Sequence, residues 1–143
     1  DLSKIAQKGS VKVDELCKVY TFKTVHQMIS TVSCKMKSGT NFNDILKATF
    51  PMGSMTGAPK IRAMELIEKH ESFKRGLYSG SIGYIAPNGD FDLNVIIRTM
   101  VYNKKLKNLS CAVGSAITIN SIPENEYEEC AVKIQKLLDG VSG

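Results

Sequence analysis

A chain of 143 residues with 43% apolar and 23% charged side chains has the make-up of one globular domain, long enough for a real core and too short for two comfortable ones. Lys and Arg outnumber Asp and Glu by 19 to 14, but the resulting +5 is spread along the chain without a basic arm, and there is no Trp. That argues against a nucleic-acid binder with stacking platforms, and a small anionic substrate fits the charge as well as a polymer does. No apolar run reaches membrane-spanning length and no signal peptide opens the sequence, so no membrane association is expected. The chain opens at Asp1 without a Met, so a fragment is expected. Cys17, Cys34, Cys111 and Cys130 lie far apart with no C-x-x-C pair, which argues against zinc and reads as buried thiols of a reducing, cytoplasmic compartment.

In chain order, residues 1–19 are weakly patterned, with a turn at Gly9-Ser10 into a short strand. Residues 24–36 fit a helical stripe through Val25, Met28, Ile29, Val32 and Met36, yet their Thr and Val density favours a strand. Ser38-Gly39-Thr40 breaks it, and 43–50 predict a helix stopped by Pro51. A helix over 59–69 follows, turning Ile61, Met64 and Ile67 or Glu68 inward. Strands are predicted over 78–86 and 91–101, joined by hairpin chemistry at Pro87-Asn88-Gly89-Asp90. A third strand, 106–113, is interrupted at Gly114-Ser115-Ala116 and resumes through Ile119. The last helix, 123–138, opens with Ser121 and Glu124 in capping-box spacing. This pattern is α+β: an antiparallel sheet with helices packed on one side.

The stretch Pro51-Met52-Gly53-Ser54-Met55-Thr56-Gly57-Ala58-Pro59-Lys60 joins a small-residue loop to a helix start. Its glycines permit close backbone approach, the helix N-terminus supplies free N–H groups, and Ser54, Thr56 and Lys60 add donors, which together suit an anion. It is not a Walker A loop, since the glycines are four apart and Ile61 follows Lys60. Such a loop by itself is as often a plain helix start.

Two further features carry chemistry. Alternation places Arg98 on the face of Ile96 and Met100, in a run that reads as core, where a guanidinium needs a partner. Asp92 is one candidate; a substrate carboxylate, gripped bidentately, is the other. On the last helix, Tyr127, Cys130, Ala131, Ile134, Leu137 and Leu138 form the expected buried stripe, with Glu126, Glu129 and Lys133 along its edge. Two carboxylates so spaced can hold Mg²⁺; equally, Glu129 and Lys133 can form an ordinary surface pair. Tyr78 opens a strand and is either core or a polar handle, and Gly114 to Ala116 is a bulge or a place where a ligand approaches. His26 and His70 lack the companions of a triad or metal site.

Taken together, these segments resemble the chorismate-utilising enzymes, which comprise anthranilate, aminodeoxychorismate, isochorismate and salicylate synthases. The resemblance rests on Gly9-Ser10-Val11, Val25 to Val32, Phe50-Pro51, Gly53 to Glu65, Gly80 to Tyr84, Gly89 to Asp92, Ile97-Arg98-Thr99 and Glu126 to Glu129, and runs nearly end to end. It implies the C-terminal part of a chorismate-binding catalytic domain within the family's larger sandwich fold, over residues 1–143. It also implies Mg²⁺ on Glu129, with Glu126 beside it through water, and chorismate bound by Ser54, Tyr78, Arg98, Gly114 and Lys133. The catalytic lysine and a second metal-binding glutamate are expected upstream of Asp1, so this chain alone should be silent. The Gly-Ser-x-Thr-Gly-Ala-Pro-Lys loop is more similar to the aminodeoxychorismate synthase branch, whose reaction takes ammonia from a glutamine amidotransferase partner and leads to p-aminobenzoate and folate. Gln27, where many members carry a His, removes a proton-transferring group and points the same way; Ala116 replaces a usual Gly. Anthranilate synthase component I, or a noncatalytic binding module, are the alternatives.

Overall fold

The computed structural model describes residues 1–23 and 25–141. Contacts within the chain divide it into two compact units, Asp1–His70 and Glu71–Gly143.

In the first unit a 3₁₀ turn, Leu2–Lys4, precedes strand β1 (Lys12–Thr21), which pairs antiparallel with β2 (His26–Ser33). The strand over 24–36 is borne out, although Thr24, where the sequence reading starts it, lies outside the described residues. β1 is much longer than the short strand expected. Its ladder slips between Val13 and Glu15 and again between Glu15 and Lys18, and Cys17 has φ of 51°. Such irregularities shift the two-residue period and hide the strand from a pattern search. Helix α1 (Phe42–Thr49) begins in a full capping box: Asn41 Oδ1 accepts from the Asp44 amide at 3.1 Å, and Asp44 Oδ2 accepts from the Asn41 amide at 3.0 Å. It stops before Pro51, as predicted. Helix α2 (Lys60–His70) follows a 3₁₀ turn, Gly53–Met55. Among the described residues the buried apolar side chains are Ile5, Ala6 and Ala48, while β2 is exposed along its whole length.

The second unit holds two hairpins and a helix. Strand β3 (Ser81–Ile85) pairs with β4 (Phe91–Val95), and β5 (Met100–Asn103) with β6 (Asn108–Cys111). The first hairpin turns where the Pro-Asn-Gly-Asp chemistry places it: the Gly89 amide donates to the Ala86 carbonyl at 2.9 Å and the Ala86 amide to the Asp90 carbonyl at 2.7 Å. Antiparallel pairing and the α+β class hold, but the strands form three two-stranded ladders in place of one sheet.

Four expectations change here. The strand over 91–101 is cut in two at residues 96–99, where Arg98 takes φ of 51° in an exposed bend. Tyr78 sits in a turn ahead of β3 and does not open the strand. No strand resumes after Gly114: residues 112–118 are irregular, and Ile119 is 99% exposed. Helix α3 (Pro123–Asp139) has Ile122 at its N-cap with no side-chain cap, because the Ser121 hydroxyl accepts from the Thr118 amide at 2.9 Å instead.

Candidate active site

Helix α3 is rotated from its predicted orientation. Glu126, Cys130, Lys133, Ile134 and Leu137 are half-buried, whereas Tyr127 is 79% exposed and Ala131 is open to solvent. The edge carrying Glu126 and Lys133 therefore faces inward, and the helix sacrifices apolar burial to bring charge toward residues 114–115. A helix placed by polar contacts in this way violates its own apolar stripe, which is a mark of a functional face.

The contacts on that face are short and convergent. Ser115 Oγ donates to Glu126 Oε2 and approaches Glu129 Oε2 at 3.2 Å. Lys133 Nζ donates to the Gly114 carbonyl at 2.9 Å and pairs with Glu129 Oε1 at 2.5 Å. The Lys133 ammonium, by hydrogen bond and charge, and the Ser115 hydroxyl hold the Glu129 carboxyl below its usual range. The Glu129–Lys133 pair expected of an ordinary helix surface is thus formed, but it is tied into a cluster that also gathers Glu126, Ser115 and Gly114. Ser115 was named in the sequence only as part of a glycine break; its bridging place between two carboxylates becomes visible once the break lies under α3.

Gly114 also meets Tyr78. A Cβ built on Gly114 would stand 2.7 Å from the Tyr78 hydroxyl oxygen, so only glycine lets that hydroxyl lie against the backbone. Burial pushes the Tyr78 phenol up, with the Arg75 guanidinium opposing that push. Tyr78 further lines a cavity of about 570 Å³ with Arg75, Ile96, Thr99, Val101 and Cys111. Arg98 is not buried in a strand: it is exposed, and among the described residues it makes no hydrogen bond or ion pair. The internal partner considered for it, Asp92, instead accepts from the Tyr84 hydroxyl at 3.1 Å.

The glycine loop in the first unit has a different character. Lys60 Nζ reaches the Asp1 carboxylate and the Pro51 carbonyl, the latter at 2.6 Å, and Thr56 Oγ1 donates to the Met52 carbonyl at 3.0 Å. Gly57 closes on Ala63 of α2, where an added Cβ would stand at 3.0 Å. Two of the three donors nominated for an anion thus stitch the loop to itself, and Ser54 is the exposed one.

The cysteines are free, and Cys17 is exposed while the other three are half-buried, so the expectation of buried thiols fails. Among the described residues no three His, Cys, Asp or Glu side chains gather as a metal site, and no helix is long and apolar enough to cross a membrane.

Residues 1–139 match the chorismate binding enzyme family, and the chain belongs to it. It is 44% identical over 133 residues to the chloroplastic aminodeoxychorismate synthase of Arabidopsis thaliana, covering 93% of this chain and 14% of that protein. It is 38% identical over 141 residues to anthranilate synthase component 1 of Aquifex aeolicus, covering 99% of this chain and 28% of the other. The crystal structure of anthranilate synthase component I from Streptococcus pneumoniae TIGR4 superposes with a TM-score of 0.78 at 36% identity, over 94% of this chain and 31% of that one. The chain spans less than a third of the length of each of these relatives.

Proposed function

We propose that the whole protein carrying this chain converts chorismate to 4-amino-4-deoxychorismate in the cytoplasm. Ammonia comes from a glutamine amidotransferase subunit or domain, and the product feeds p-aminobenzoate and folate synthesis. The observation that carries the reading is the convergence of Glu126, Glu129, Ser115 and Lys133 beside Gly114 and Tyr78, in a member of the chorismate-binding family. Support for the aminodeoxychorismate branch comes from the Gly53-Ser54-Met55-Thr56 form of the loop and from the 44% identity to the Arabidopsis enzyme.

The donor set suits Mg²⁺. Two carboxylates and a hydroxyl are hard oxygen donors, and a two-carboxylate site leaves the remaining positions for water and a substrate oxygen. Glu129 and Glu126 would hold the ion, which when bound neutralises a substrate carboxylate. The chain's own groups do the rest. Arg98 and the Tyr78 hydroxyl bind a second carboxylate, and Lys133 and the Gly114 backbone contact substrate. Amination in place of pyruvate elimination agrees with Gln27, which donates and accepts hydrogen bonds but does not shuttle protons.

The rival reading, anthranilate synthase component I, is favoured by the Aquifex relative. Product analysis of the whole enzyme with chorismate, Mg²⁺ and ammonia decides: 4-amino-4-deoxychorismate is expected, and anthranilate with released pyruvate overturns the assignment. Chorismate binding that needs no Mg²⁺ and survives Arg98→Ala points instead to a noncatalytic module.

A further inference from the structure

Glu71 and Arg75 lie outside every role assigned above, yet they surround Tyr78. Arg75 Nε donates to Glu71 Oε2 at 2.8 Å and Nη2 to Glu71 Oε1 at 2.6 Å, a side-on fork that uses both carboxylate oxygens. Its third nitrogen, Nη1, donates to Ser79 Oγ at 3.2 Å. Three of its five N–H groups are thereby held by Glu71 and Ser79. The Cζ of the guanidinium stands 5.7 Å from the centroid of the Tyr78 ring, within cation–π range.

The backbone is fixed at the same place. Ser79 is 6% exposed with φ of 67°, its amide donates to the Ile96 carbonyl at 2.9 Å, and the Tyr78 and Gly80 amides close onto the Arg75 and Leu77 carbonyls. Tyr78 is therefore confined from two directions: the guanidinium covers its ring, and its hydroxyl lies against the bare Cα of Gly114.

We propose that the Glu71–Arg75 pair is a positioning brace for Tyr78, setting the ring so that its hydroxyl meets the substrate carboxylate beside Gly114. Neither residue touches substrate. The proposal rests on the reading of Tyr78 as a substrate contact, and the experiment separates the two. In the whole enzyme, KM and kcat for chorismate are measured for Tyr78→Phe, Arg75→Met, Arg75→Lys, Glu71→Gln and the Arg75→Met/Tyr78→Phe double variant.

Arg75→Met keeps the aliphatic stem and is expected to raise KM about fivefold with kcat changed less than about twofold, the signature of lost binding shared by ground and transition states. Arg75→Lys recovers less than half of that loss, because an ammonium cannot make the fork. In the Tyr78→Phe background Arg75→Met adds less than about twofold, since residues acting as one unit are non-additive. Full additivity of the two changes overturns the brace. An unchanged KM in Tyr78→Phe overturns the substrate role of Tyr78 itself. Thermal melts monitor folding; if Arg75→Met does not fold, Glu71→Gln, which keeps the shape and removes the charge, carries the same test, and an unchanged KM there overturns the brace.

Discussion

The two halves of this molecule use similar residues to opposite ends. In residues 1–70 the Lys60 ammonium and the Thr56 hydroxyl are consumed by carbonyls and a carboxylate of their own unit, so the glycine-rich loop is stitched shut. In the second unit helix α3 gives up burial of Tyr127 and Ala131 to bring Glu126 and Lys133 inward, and among the described residues Arg98 has no internal partner. Lys133, Ser115 and Glu129 are likewise paired within their own unit, but their cluster forms at the expense of apolar burial, and such departures from a helix's own pattern concentrate at functional sites. The first unit should therefore answer mutation with lost stability, and the second with lost function.

The sharpest way to break this contrast is Glu129→Ala in the whole enzyme. Removing a proposed metal ligand is expected to lower chorismate turnover at least about 100-fold, whereas a surface pair would leave it unchanged. Steady-state kinetics across a Mg²⁺ titration checks it. Next is Gly114→Ala. The new methyl collides with the Tyr78 hydroxyl, so a KM rise of about tenfold is expected, with a stability loss of about 1–3 kcal/mol read by urea denaturation.

Lys60→Met tests the other half. It leaves the Pro51 carbonyl without its ammonium and the Asp1 carboxylate with Lys4 alone, and should cost about 1–2 kcal/mol of stability, with chorismate KM unmoved. A KM rise with unchanged stability would reverse the roles drawn for the two units. The smallest effect lies on the first hairpin. Hydrogen bonds from Lys18 and Tyr20, both at 2.5 Å, hold the Glu15 carboxyl below its ordinary 4.5. Its folded pKa is depressed, so its contribution is present above pH 4.5 and is lost as pH falls through the lower folded value. Denaturation midpoints measured from pH 6 downward should show a slightly shallower acid decline in Glu15→Gln than in the parent chain.

Much of the fold was legible in sequence where local chemistry decides it. The stop at Pro51, the break at Gly39 and the turn at Asn88-Gly89 follow from residues whose backbone preferences outweigh context. The cut at Arg98 was not legible, since Val95, Ile96 and Ile97 read as unbroken strand and an arginine at positive φ carries no compositional signal. The rotation of α3 was hidden for a related reason: its apolar stripe is real, but hydrogen bonds to Gly114 and Ser115 outweigh it. Of the site, Glu126, Glu129, Lys133, Gly114 and Tyr78 were named from sequence and come together in one cluster. Ser115, Glu71 and Arg75 gained their meaning only from the turn and break that carry them.

The left-handed corner at Arg98 has one more effect. Placed between the ends of β4 and β5 at φ of 51°, this position resists β-branched side chains most, since they tolerate positive φ least, so a valine or isoleucine there would disturb the corner as well as remove the guanidinium.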